Sequence, residues 1–308
     1  MRRFQGKIVC LLFIGIVLCG ILPACTQSAS THAAEIVTTT FPAYDIARTL
    51  TKDCQGVRVR LLLSPGTESH SYDPSAADMM AVHDADLFLY IGQEADAWAE
   101  TLMQAAGKNL NKFALTDGIE LLRDDHQEAD AHVWTDPENV ISIVERLTPV
   151  LCALPEMSSE NGEMITAAAM AYIQDLQKLD QDFQDFFQAI PESDRLLVFG
   201  DRFPFRYFAE AYDVSYMAAF HSCSHESEPS AGTVMTLIDT VRSRGISTIF
   251  YVELSQHRIA DTIAAETGAK IALLHSCHNV SQSEFEQGET YLSLMRENLE
   301  RLQDAFSK

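Results

Sequence analysis

The sequence predicts an α/β fold with two lobes. Each lobe is a four-stranded parallel sheet flanked by helices, and one long rigid helix joins them. Three observations carry this. Short apolar, β-branched runs alternate with amphipathic stretches from residue 36 onward, the pattern of βαβ units. The alternation occurs twice, in similar outline. Between the two rounds, residues 158–190 hold one continuous apolar stripe of helical period.

The first round opens with a strand at 36–40, which Phe41-Pro42 ends, and a helix at 44–52. A strand at 57–63, a helix at 74–83 and a buried strand at 87–91 follow, with Gly92 after it. A helix at 96–106 and a weak strand at 112–115 complete the sheet. An acidic stretch, 118–130, precedes a helix at 139–151. In the long segment, Met164, Ala168, Tyr172, Leu176, Leu179, Phe183, Phe186 or Phe187, and Ile190 recur every three or four residues, with Pro155 and Pro191 as brackets. Near Tyr172 there is no Gly or Pro to break it. At 1.5 Å per residue it is roughly 50 Å long, too long for one small lobe. The second round has strands at 196–199, 214–220, 248–252 and 270–274, and helices at 205–211, 229–242, 259–267 and 291–306. Gly268 serves as a helix stop. The expected organisation is a leader (1–24), a tether (25–34), a first lobe (35–155), a linking helix (156–191) and a second lobe (192–308).

The leader reads as an export signal. Arg2, Arg3 and Lys7 make a basic start, and residues 8–22 are an apolar run too short to span a bilayer. It ends Leu22-Pro23-Ala24-Cys25, a small residue before cysteine, like a bacterial lipobox. In that reading the chain is cut before Cys25, the thiol is acylated, and the body is extracytoplasmic, anchored to the cell membrane by lipid. The formal net charge of the 308-residue chain is −22, and losing the leader makes it more acidic. That disfavours nucleic acid and anionic membrane surfaces as partners and suits a handler of cations, or simply solubility outside a cell. Cys54, Cys152, Cys223 and Cys277 remain in an oxidising compartment, and four cysteines can pair in three ways.

In parallel sheets, ligands bind outside the carboxyl ends of the strands. Of ten histidines, His70, His126, His132, His221, His225, His275 and His278 are expected on loops leaving those ends, and His32, His83 and His257 elsewhere. Two loops stand out in the first lobe: 64–74, SPGTESHSYDP, with His70, and 130–137, DAHVWTDP, with His132. Two tracts stand out in the second: 221–225, HSCSH, and 275–278, HSCH. Histidine with thiolate suits zinc, or copper, better than calcium or magnesium. Neutral imidazole also binds reversibly, as a carrier requires. Asp136 is a carboxylate placed to orient a ligand ring. Cys223 and Cys277 read either as a disulfide across neighbouring loops or as a source of at least one thiolate ligand. His275, directly at a strand's end, ranks above His278, and both rank above His225 and His221.

At these residues the chain resembles the zinc- and manganese-binding lipoproteins that feed ABC importers, a family that includes proteins called adhesins. The matching segments are 36–44 (IVTTTFPAY), 64–74, 91–98 (IGQEADAW), 130–137 and the closing helix 288–302. The resemblance implies two lobes joined by a rigid helix, one metal in the cleft and delivery to a membrane permease by a monomer that performs no catalysis. His70 and His132 fall on the family's first two ligands. Its third, a histidine after the first strand of the second lobe, is missing, because 200–205 reads GDRFPF with Arg202 in that place. His275 takes the place of the fourth, usually an acid. Cys223 or His225 replaces the missing ligand, with Cys277 and His278 as further candidates. The histidine-rich loop of the family is reduced to acids and His126. Histidine in place of carboxylate favours Zn²⁺ over Mn²⁺. Rival readings are a zinc hydrolase, a surface adhesin with a structural metal, and a carrier of haem or an iron chelate. No His-Glu-x-x-His helix supports the hydrolase.

Overall fold

Two parallel sheets are built from the same kind of strand in a computed structural model that describes residues 34–67, 72–92, 97–107, 110–123, 129–220 and 229–307. In the first sheet, β1 (Ala34–Thr38), β2 (Val57–Leu61), β3 (Leu87–Tyr90) and β4 (Lys112–Ala114) lie in the order β2-β1-β3-β4. In the second, β5 (Leu196–Phe199), β6 (Ser215–Ala218), β7 (Thr248–Tyr251) and β8 (Lys270–Leu273) lie in the order β6-β5-β7-β8. All pairs are parallel, as buried runs such as LFLY and LLVF require. Two glycines repeat at equivalent places. A Cβ on Gly92, beyond β3, would sit 2.3 Å from Thr116 Oγ1, and one on Gly200, beyond β5, would sit 2.3 Å from the Ala260 Cα. At Gly200 the obstacle is main chain, so only glycine fits, whereas at Gly92 a larger residue would have to displace the Thr116 side chain.

The helices follow the expected order, with local differences at their starts. Phe41-Pro42 does not end a strand. It opens α1 (Phe41–Thr51), because proline's fixed φ and missing N–H cost nothing in a first helical turn. Likewise α2 (Ala76–His83) starts after Pro74, where Ser75 and Asp78 form a capping box. Next come α3 (Ala97–Ala106), α4 (Pro137–Cys152), α5 (Ser159–Gln188), α6 (Arg206–Ala211), α7 (Ala231–Arg244), α8 (Arg258–Thr267), α9 (Gln282–Gln287) and α10 (Tyr291–Phe306). The short α9 is not apparent in the periodicity. Its Ser281–Glu284 capping box is the one signal that marks it.

Helix α5, at 30 residues, spans about 45 Å and links the lobes. It packs on α1 and α4 of the first lobe and α10 of the second. Its first half buries Ile165, Ala169 and Tyr172. Its second half carries Phe183 and Phe187 into an aromatic group with Phe208 and Tyr212, where Phe183 and Phe208 meet edge-on at 5.0 Å. One hydrophobic core runs from Ile36 and Phe41 of the first lobe through α5 to Phe199 and Leu294 of the second, and each sheet has a smaller core on its other face. The lobes are thus joined by shared packing as well as by the helix. Among the described residues, no helix is long and apolar enough to cross a membrane.

Candidate metal centre

His132 sits on the segment that leads into α4. Its backbone enters a 3-10 turn, Val133–Thr135, and Thr135 Oγ1 closes the turn on the His132 carbonyl at 2.9 Å. Asp130 grips the same residue twice. One carboxylate oxygen accepts from the His132 backbone N–H at 2.9 Å and lies 2.8 Å from Nδ1. Both side chains are buried. The carboxylate places the ring proton on Nδ1 and leaves the lone pair on Nε2, as a metal-binding histidine requires. The second lobe braces this unit, since Tyr207 of α6 donates its hydroxyl to the Asp130 carbonyl at 2.6 Å and accepts from the Leu122 N–H at 3.0 Å. Burial pushes the Tyr207 hydroxyl up to about 12, which keeps it a donor.

Across from His132 lies the loop that leaves β8. Trp134, fully buried, donates Nε1 to the Ser276 carbonyl at 2.8 Å. The His278 ring meets His132 edge-on at 5.5 Å and Trp134 at 5.3 Å. Glu253, at the end of β7, holds this loop by accepting from the Ser276 N–H at 2.7 Å, its hydroxyl at 2.5 Å and the His278 N–H at 3.1 Å. The same loop reaches the other first-lobe segment. Asn279 donates Nδ2 to the carbonyls of Ser64 (3.0 Å) and Thr67 (2.8 Å), and the Gly66 N–H donates to the Val280 carbonyl at 2.7 Å. One second-lobe loop therefore touches both first-lobe segments singled out in the sequence.

His275 differs from its neighbour. It is fully buried, and Asn298 of α10 pairs with its backbone through the His275 N–H to Oδ1 and Nδ2 to the His275 carbonyl, each 2.7 Å. Its Nδ1 accepts the Cys277 N–H at 2.9 Å, and Nε2 stands 3.7 Å from Glu284 Oε1, beyond hydrogen-bond reach. Burial lowers its pKa, but the carboxylates of Glu253 and Glu284 outweigh burial and raise it. The hydrogen bond from Cys277 requires a lone pair on Nδ1, so in the neutral ring the proton is on Nε2, facing Glu284. Neither ring nitrogen then presents a lone pair away from its own loop. Cys277, also buried, has left-handed backbone (φ 60°) and points Sγ to the His275 carbonyl at 3.8 Å. Burial, then Glu253, pushes its thiol well up, which favours the neutral form over a thiolate.

Other expected residues land as follows. Asp136 does not orient a ring: it caps α4 by accepting from the Glu138 N–H at 2.9 Å. Burial raises it to about 7, with Asp180 and Glu138 adding to the rise. The orienting carboxylate is Asp130, two residues before His132 instead of four after. His257 was expected away from the strand ends, yet it follows β7 at the carboxyl edge, its ring tilted against Tyr251 at 4.8 Å and 2.9 Å from Asp261. It lines a cavity of about 440 Å³ together with Arg202 and Glu253. His70, His126, His221, Cys223, His225 and the leader with Cys25 lie outside the described residues. The flanks of the His70 segment are held, by Asn279 at Thr67 and by the Tyr72 hydroxyl on Asp78 at 2.9 Å. Among the described residues, no three His, Cys, Asp or Glu side chains are grouped to hold a metal ion. Sequence reasoning missed Glu253 and Asn279, for which it offered no signal beyond their places at and after strand ends.

Residues 36–305 match the family model described as zinc-uptake complex component A, periplasmic. Zinc-binding lipoprotein AdcA of Streptococcus pneumoniae is 28% identical over 302 residues, covering 92% of this chain and 58% of the relative. The high-affinity zinc uptake system protein ZnuA of Bacillus subtilis is 26% identical over 307 residues, covering 92% of this chain and 93% of the relative. The chain thus spans little more than half of AdcA but nearly all of that ZnuA. Among solved structures, the Zn(II)-bound ZnuA-like domain of S. pneumoniae AdcA is similar with a TM-score of 0.74 at 29% identity, over 89% of this chain and 99% of that one. The laminin-binding protein Lmb of Streptococcus agalactiae, described as bifunctional with adhesin and metal transporting activity, gives 0.74 at 26% identity, over 89% and 100%. With nearly its whole described length matched, the chain belongs to the family of the zinc-uptake complex component A.

Proposed function

We propose that this chain is an extracytoplasmic receptor that captures Zn²⁺ at the boundary of its lobes and hands it to the permease of an ABC importer. In this reading it is a monomer held to the membrane by a lipid on Cys25, and it catalyses no reaction. The observation that carries the metal assignment is His132. Its Nδ1 is committed to a buried carboxylate, its Nε2 keeps a lone pair, and its ring abuts a second histidine, His278, from the opposite lobe. The names of the relatives support zinc as the cargo.

The proposed ligand set is His70 and His132 from the first lobe and His278 from the second. Cys223 or His225 is the remaining candidate. His275 and Cys277 are assigned to building the loop that carries His278, because their polar atoms are turned into that loop. Histidine ligands favour Zn²⁺ over Mn²⁺. Only the neutral imidazole binds metal and the imidazolium must first lose a proton, so affinity falls as the pH is lowered.

The test is competition against a chromophoric zinc chelator. The wild-type protein should bind one zinc per chain, and His132→Ala should lose at least about a hundredfold in affinity while remaining folded, since removing a ligand costs more than the 10–100-fold typical of an outer-shell partner. An unchanged zinc affinity in folded His132→Ala would sink the assignment.

A further inference from the structure

We propose that Cys54 and Cys152 form a disulfide that ties the end of the first-lobe helix α1 to the end of α4, against the first turn of the linking helix α5. Cys54 lies just beyond α1, where its N–H donates to the Thr51 carbonyl at 3.0 Å, and Cys152 is the last residue of α4. Their sulfurs turn to the same place. The Cys54 thiol lies 3.7 Å from the Asn161 carbonyl and the Cys152 thiol 3.6 Å from the next carbonyl, that of Gly162. Each thiol spends its weak donor on a backbone oxygen, with no stronger partner.

The surroundings hold this approach in place. The buried Asn161 side chain clasps the residue after Cys54, accepting the Gln55 N–H at 3.2 Å and donating to the Gln55 carbonyl at 3.0 Å. Helix α4 packs along α5, which fixes Cys152 from the other side. The sulfurs are close enough for charge on Cys152 to raise the Cys54 thiol, after burial and Asp53. Both cysteines are only partly buried, so a small oxidant can reach them. Cys277, the other described cysteine, is fully buried and bonded within its own loop. Of the three pairings open to four cysteines, only one joins Cys54 to Cys152.

The chemistry is thiol–disulfide exchange with a low-molecular-weight disulfide as oxidant. One cysteine thiolate attacks a sulfur of the oxidant and forms a mixed disulfide, releasing one small thiol. The second cysteine thiolate then attacks the protein sulfur of that mixed disulfide and expels the other small thiol. Two protein thiols become one S–S bond. Their two electrons and two protons end on the two small thiols. The closed loop contains most of the first lobe, so the bond chiefly restrains the unfolded chain.

The proposed export supplies the oxidising setting, but the test does not depend on it. The full chain is equilibrated with mixtures of oxidised and reduced glutathione, alkylated, digested without reductant and mapped. We expect one peptide linking Cys54 to Cys152, absent from Cys54→Ser and from Cys152→Ser. Reduction should lower Tm by about 5–10 °C in the wild type and leave both variants unmoved. Alkylation of both thiols at every glutathione ratio in folded protein overturns the proposal, as does a peptide linking either one to Cys277. Zinc stoichiometry on the same samples reads the metal site separately: intact zinc binding with unlinked thiols defeats only the disulfide, and lost zinc with the link intact defeats only the metal assignment.

Discussion

His132 and His275 are both buried histidines beside carboxylates, one in each lobe, and their chemistry is opposite. His132 has one ring nitrogen on Asp130 and the other left with its lone pair. His275 accepts the Cys277 N–H with one nitrogen and faces Glu284 with the other. Burial and nearby acid therefore do not identify a metal ligand. What matters is which nitrogen is committed, and to a donor or to an acceptor. An acceptor at Nδ1 frees Nε2 for metal, whereas a donor at Nδ1 puts the ring's only proton on Nε2. His278, on the same loop as His275, turns its ring instead to His132 and Trp134 across the site.

The comparison breaks most readily at Asp130. Asp130→Asn keeps the size of the side chain but removes the charge that fixes the His132 tautomer. Zinc affinity should fall about 10–100-fold, measured by chelator competition, with circular dichroism unchanged. Equal affinity in the variant would mean that the carboxylate is only structural.

Asn279→Ala probes the loop that joins the two halves. It removes the side-chain donor from the carbonyls of Ser64, which keeps the Thr67 N–H, and of Thr67, at a cost of about 1–3 kcal/mol in stability. Because the same carbonyls hold the segment before His70, zinc dissociation should also quicken in stopped-flow measurements. A stability loss with an unchanged rate would confine Asn279 to a packing role.

The smallest expected effect concerns Glu284. The His275 side chain is the main cause that holds its carboxyl down at about 2, and the hydrogen bonds from Ser281 help against burial. Its folded pKa lies below its ordinary value of 4.5, so its stabilising contribution is present above about pH 4.5 and is lost as pH falls toward 2. Glu284→Gln preserves the cap on α9 and should flatten that limb of the stability curve while leaving zinc affinity near neutral pH unmoved. Thermal denaturation across pH 2 to 7 reads the first effect. A wild-type acid limb in the variant would show that the carboxylate is not its source.

Much of this was legible in the sequence. Alternating apolar runs located all eight strands among the described residues, and the stripe through Tyr172, Leu176 and Phe183 identified the linking helix. The DAHVWTDP segment pointed to His132 because histidine, an aromatic residue and an Asp-Pro helix start fall together in one loop. The orienting acid was not legible: Asp130 and Asp136 flank the histidine, and only the 3-10 turn decides which one meets the ring. Nor was the difference between His275 and His278. Position at the strand's end favours His275, but Asn298 draws its backbone inward and Cys277 takes its ring nitrogen, and both are three-dimensional pairings. The start at Phe41 was misplaced because Phe41-Pro42 was read as a stop where it opens a first turn, and the start at Ala76 was set two residues early, at Pro74, because the Ser75 cap was not read.

The central claim is that the second-lobe half of the metal site is carried by His278, with His275 in a structural role. It is tested most directly by measuring zinc affinity and Tm for His278→Ala and His275→Ala together. The account predicts that His278→Ala loses at least about a hundredfold in zinc affinity with Tm of the metal-free protein little changed. It predicts that His275→Ala, which empties a buried and hydrogen-bonded position, lowers Tm while folded molecules keep zinc affinity within a few-fold of wild type. The reverse pattern, with affinity lost in folded His275→Ala and retained in His278→Ala, would contradict it.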